Sequence, residues 1–154
     1  MKPIKWALVF LCLSFASYLF IGEGNSLQYD AVKKDENRDI EIYFSSNNHN
    51  IEGAYNMTCS LSEKTRYPNI FPEDGVAIFG GNIKKYGNGK YKSIVDVHGY
   101  SRSGEYSVGK FDLIRELGEA KIINCVIYRK GFFSWGTVSS PMSMPAELLI
   151  KLYE

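Results

Sequence analysis

The sequence predicts a mainly β domain, an antiparallel meander forming a small barrel or sandwich, preceded by one N-terminal transmembrane helix. Three observations predict it. Phe, Tyr and Trp supply 14% of the residues, with Tyr the commonest at 11, and such side chains favour half-buried pleated surfaces. Short runs of alternating apolar residues recur between turns rich in Gly, Asn and Pro, which is the spacing of a meander. An uncharged apolar stretch from Trp6 to Ile21 follows Lys2 and Lys5, the pattern of a segment that enters a membrane with its basic end held back.

That first segment has two readings. A cleaved signal peptide wants small residues one and three positions before the cut. Ser14 and Ala16 fit a cut before Ser17, and Gly22 and Gly24 fit one before Asn25. A retained anchor needs about 20 residues to cross the hydrocarbon. Pro3 to Gly22 supplies that length if Lys5 snorkels, and Trp6 and Tyr18 suit the two interfacial belts. The expectation is therefore an anchor (or signal peptide) over 1–24, a juxtamembrane linker over 25–38 and an exported β domain over 39–154. Cys12 is not an acylation site, because bulky Phe10 and Leu11 precede it.

With the first segment set aside, about 130 residues remain, which is one domain by length and enough to bury a core without a metal. The formal net charge of +1 comes with no Lys/Arg stripe, which speaks against direct nucleic-acid binding. Cys59 and Cys125 form an even pair in an exported domain, which suggests a disulfide. Each sits in a predicted strand, Tyr55 to Leu61 and Lys121 to Tyr128. The alternative is two buried thiols. Zinc is poorly supported, since neither Cys has a second Cys or His at ligand spacing.

Along the domain, Asn25 to Arg38 is charged and reads as linker with a short helix. Ile40 to Phe44 reads as a strand and Ser45 to Asn50 as a polar turn. Glu63 to Gly75, with Pro68 and Pro72, reads as a loop. Val76 to Tyr86 is a strand interrupted at Gly80-Gly81, where paired glycines suggest a bulge or bend. Gly87-Asn88-Gly89 is a hairpin signal. Lys90 to Tyr100 follows as a strand with Tyr91, Ser93, Val95 and Val97 on one face. After a turn at Arg102 to Gly104, Tyr106 to Leu117 reads as a further strand. Pro141 and Pro145 bracket a loop, and Leu148 to Tyr153 closes the chain as an edge strand or one helical turn. Seven or eight such strands close naturally into a barrel or sandwich.

No catalytic constellation stands out, so the chain is expected not to be an enzyme and to carry no cofactor or metal. Asp96 and His98 alternate onto one face beside Ser101 and Ser103, but such spacing says little, because triads are defined by geometry. His49 and His98 are the candidates for sensing mild acid, since histidine titrates near neutrality. Phe132, Phe133 and Trp135 form a dense aromatic group. They serve either core packing or an exposed surface for a partner or an apolar ligand.

The N-terminal segment with Lys2 and Lys5, the pair Cys59 and Cys125, the Gly87-Asn88-Gly89 hairpin and the late Pro141-Met142-Ser143-Met144-Pro145-Ala146-Glu147-Leu148-Leu149 segment together resemble a known group. They are similar to the bacterial membrane-bound co-regulators of the ToxS, PsaF/MyfF and FidL-like kind, closest to PsaF/MyfF. The resemblance is architectural and covers most of the chain. It implies a single-pass inner-membrane protein with its N-terminus in the cytoplasm and its β domain in the periplasm. It implies a partner, a membrane-bound winged-helix transcription activator, whose periplasmic domain is bound and stabilised. It also implies a shared barrel able to hold a small apolar ligand such as a bile salt. No motif of the group transfers residue by residue. A secreted or fimbrial β-sandwich subunit, a periplasmic inhibitor or immunity protein, and an exported enzyme are the competing readings.

Overall fold

The computed structural model describes residues 26–53, 55–61, 75–101, 103–129 and 139–154. The expected anchor, most of the Glu63 to Gly75 loop, and Phe132, Phe133 and Trp135 lie outside these residues. Among the described residues no helix is long and apolar enough to cross a membrane.

One antiparallel sheet of nine strands curls into a nearly closed barrel. The strands are β1 (Leu27–Lys34), β2 (Ile40–Ser46), β3 (Tyr55–Ser60), β4 (Gly75–Asn82), β5 (Lys84–Gly87), β6 (Lys90–Ser101), β7 (Gly104–Tyr106), β8 (Ile122–Arg129) and β9 (Met142–Pro145). Helix α1 (Lys110–Ala120) joins β7 to β8, and α2 (Ala146–Tyr153) follows β9. The hydrogen-bonded path runs β1-β2-β6-β4-β3-β8-β9, with β5 and β7 also pairing with β6.

The longest strand, β6, is the spine. β2 and β7 pair along one side of it, and β4 and β5 along the other. The Asn88–Gly89 turn connects β5 to β6, and Gly89 adopts φ 64°, a conformation that glycine reaches without steric penalty. The strand read as interrupted at Gly80-Gly81 runs through both glycines and breaks at Ile83, between β4 and β5, but the paired glycines do mark an irregularity. The β3–β4 register shifts between Asn56 and Met57, opposite Gly80 to Asn82. Gly80 packs so closely that a Cβ there would meet Ser93 Oγ at 2.4 Å and Met57 Cβ at 2.8 Å.

The core follows the alternation of the strands. Ile42, Phe44, Met57, Ile78, Tyr91, Ile123 and Ile127 are fully buried inside the barrel, and Phe44 stacks on Tyr91 with ring centres 5.9 Å apart. The predicted face of β6 is the inner one, for Tyr91, Ser93 and Val95 are buried. Cys59 and Cys125 stand directly opposite on β3 and β8 and form a disulfide, as the sequence suggests.

Three segments differ from the sequence reading. Tyr106 to Leu117 is not one strand: β7 ends at Tyr106 and α1 begins at Lys110. Leu113 and Leu117, one helical turn apart, bury together in the core, and this period prevails over the mixed alternation around Phe111. Residues 27–34, read as linker with a short helix, are strand β1. A bulge between Tyr29 and Ala31 moves the inward face from Leu27 and Tyr29 to Val32, so clean alternation is lost. The segment between Pro141 and Pro145 contains β9, whose Met142 and Met144 are buried. Leu148 to Tyr153 belongs to an eight-residue helix, with Glu147 in its first turn and Lys151 in its last, both suited to the helix dipole.

Candidate functional site

The sheet path begins at β1 and ends at β9, and these two strands lie side by side without a hydrogen-bonded ladder between them. The barrel therefore has a seam. One end of it is fastened by α2: the Lys34 ammonium donates to the Leu152 carbonyl and stands 5.6 Å from the centre of the Tyr153 ring. Beside this fastening lies a cleft of about 260 Å³, lined by Lys34, Arg38, Ile40, Asp96, Val97 and Tyr153. Burial raises the Tyr153 phenol above its usual range, and the nearby Asp96 charge adds to that. A second cleft, of about 230 Å³, lies between the end of α1 and the start of α2, bordered by Leu117, Lys121, Pro145 and Ile150.

The outer face of β1-β2-β6-β5 holds a connected set of polar groups. Alternation along β2 turns Ile40, Ile42 and Phe44 inward and Glu41 and Tyr43 outward. Glu41 is nonetheless only 4% exposed. Its carboxylate accepts from Lys92 Nζ at 2.7 Å and from Tyr43 Oη at 2.6 Å. Burial pushes the Glu41 carboxyl up, but the hydrogen bonds from Lys92 and Tyr43 and the Lys92 charge outweigh it and hold the group below the usual glutamate range. The same hydrogen bond holds Lys92 above its usual range. The Tyr43 phenol is raised mainly by its bond to Glu41. Tyr86 meets the Tyr43 ring edge-on at 5.3 Å, and the Lys33 and Lys92 ammoniums lie 5.4 and 5.8 Å from that ring's centre. This patch is a charge-paired surface whose sequence signal is incomplete. The alternation shows Glu41 facing out, but nothing marks Lys92 as its partner.

The two histidines do not converge. His49 is exposed beside the Asn88–Gly89 turn, at the end of the barrel where β1 begins. His98 lies toward the other end of β6, where its Nδ1 contacts the Glu105 carboxylate across the β6–β7 hairpin and its ring lies 5.9 Å from Phe79. Asp96 and His98 share the outer face, and the carboxylate that His98 engages is Glu105. Among the described residues no cluster of three or more His, Cys, Asp or Glu side chains is arranged to hold a metal. The aromatic candidates Phe132, Phe133 and Trp135 lie outside the described residues, in the connection from β8 to Ser139. Comparison of the chain with family models, with curated proteins and with solved structures finds no match.

Proposed function

We propose that the protein is an inner-membrane-anchored periplasmic accessory regulator. It binds and stabilises the periplasmic domain of a membrane-bound winged-helix transcription activator and helps to transmit an environmental signal. The observation that carries this reading is the unladdered seam between β1 and β9 in a disulfide-tied barrel. Strands at a seam keep backbone donors and acceptors that a partner strand can engage. The disulfide suits an oxidising compartment, and the basic-then-apolar N-terminus suits a tether in the inner membrane. A partner tethered in the same membrane is met at high effective concentration, so a modest interface suffices. Phe44, Met57 and Tyr91 fill the barrel interior. In this reading a small apolar ligand such as a bile salt would bind at the joint with the partner, which the filled barrel interior favours over a site inside this barrel.

The test is membrane fractionation followed by mild-detergent extraction and capture through a tag after Glu154. The expected result is a full-length protein in the inner membrane that co-purifies with a DNA-binding activator, whose steady-state level drops when this chain is removed. A shortened, soluble protein without such a partner would overturn the reading and favour a secreted subunit or an inhibitor.

A further inference from the structure

We infer that the end of the barrel formed by the β5–β6 hairpin and the β2–β3 connection rests on an anionic phospholipid surface. This inference depends on the anchored reading above and adds an orientation to it. The chain enters the domain at that end. The Ser26 N–H donates to Asn47 Oδ1 at 3.0 Å, and the Ser46 N–H donates to the Gly89 carbonyl at 3.0 Å. The entry point and the hairpin turn are thus two strand spacings apart, about 10 Å. Five residue steps separate Ile21, the last residue of the apolar stretch, from Ser26, a reach of at most about 18 Å. The twelve-residue strand β6 spans about 40 Å. So the tether holds this end near the bilayer and leaves the opposite end far from it.

Charge is divided in the same sense. Residues 46–53 and 82–90 carry Lys84, Lys85 and Lys90, with Glu52 as the one acid. Lys90 pairs with Asp30 at 3.0 Å, whereas Lys84 and Lys85 are exposed and form no ion pair within 4.0 Å among the described residues. Tyr86, the next residue, is 49% exposed, and tyrosine is a side chain favoured at the membrane–water boundary. Among the described residues, the opposite end presents Asp35, Glu36 and Asp39 against Lys34 and Arg38 around one turn, with Glu105 on β7. An anionic surface therefore attracts the hairpin end and repels the other.

The test uses the full chain in nanodiscs of either phosphatidylglycerol or phosphatidylcholine, followed by backbone hydrogen exchange. Amides of residues 84–90 are expected to exchange at least fivefold more slowly on phosphatidylglycerol, while those of residues 35–39 do not change. The difference should disappear in the Lys84→Gln/Lys85→Gln variant, which alters only exposed side chains. Equal exchange on both lipids, slowing confined to residues 35–39, or slowing that survives the double substitution would each overturn the docking. Alkaline carbonate extraction separates the two levels. Release of the protein would remove the anchor, and the docking with it. Retention without lipid dependence would remove the docking alone.

Discussion

Replacing Gly80 by Ala is the sharpest test of how the barrel is packed. Gly80 sits where β4 passes between β3 and β6, paired with Met57 on one side and Val95 on the other. An added Cβ would stand 2.4 Å from Ser93 Oγ and 2.8 Å from Met57 Cβ. The hydroxyl can rotate away, but it then gives up its bond to the Gly81 carbonyl, now 3.2 Å long, a loss of about 1 kcal/mol. The contact with Met57 Cβ has no such escape, because that atom is fixed to the β3 backbone. Overpacking of this kind costs roughly 1–3 kcal/mol, so the total destabilisation should be about 2–4 kcal/mol. Gly81→Ala is the internal control, since its new methyl approaches nothing closer than the Ile94 carbonyl at 4.0 Å. Urea unfolding followed by far-ultraviolet circular dichroism gives both values from the shift in midpoint at constant slope. A Gly80→Ala midpoint equal to that of the parent, or an equal shift for Gly81→Ala, would refute the packing argument.

Three further outcomes are expected. Removing the disulfide by Cys59→Ser/Cys125→Ser frees a loop whose ends are 66 residues apart; it should lower stability by about 4 kcal/mol in the chain-entropy model, and unchanged abundance in an oxidising compartment would contradict a structural role. Glu41→Gln should lose about 2 kcal/mol near neutral pH, the scale of a charge-assisted hydrogen bond. Because the folded carboxyl is held below its ordinary range, its contribution is complete above about pH 4.3 and vanishes as pH falls through the folded value; urea midpoints of parent and variant should therefore converge in acid, and a constant gap would contradict the assignment. Gly118→Ala should raise stability by about 0.5–1 kcal/mol, since Gly118 lies inside α1 and an added methyl meets nothing within 4 Å; a calorimetric melting temperature checks this.

What could be read from the sequence was decided by whether the signal was local. The Asn88–Gly89 turn, the glycine irregularity in β4 and the inner face of β6 all announce themselves within a few residues. The barrel-like closure follows from their repetition. The first strand escaped because its bulge at Asp30 breaks the two-residue period on which strand recognition rests. Helix α1 escaped because Tyr106 and Val108, then Phe111 and Leu113, mimic alternation, although Leu113 and Leu117 with Arg115, Glu116, Glu119 and Ala120 carry a helical signal. The disulfide was legible because cysteine is rare and two of the three, Cys59 and Cys125, remain once Cys12 is set aside in the apolar segment. The Glu41–Lys92 pair was not, for its members are 51 residues apart and either side chain alone is an ordinary strand residue facing solvent. The Lys34–Leu152 fastening spans 118 residues and depends on how the barrel closes, which no local pattern states.

The position of β3 has a consequence for the order in which the molecule can be completed. It lies inside the sheet, between β4 and β8, but its two neighbours are made at different times. A chain extended only as far as Ser101 already contains β1, β2, β6, β4 and β3 and can pair them in their final order. The edge of β3 that carries Cys59 then has nothing to hold it until residues 122–129 arrive. During that interval the nascent protein displays an unpaired strand edge together with a thiol that lacks its partner. Any chain that stops between Ser101 and Ile122 keeps both on display for its lifetime, and is the form most open to pairing with the wrong strand or the wrong cysteine.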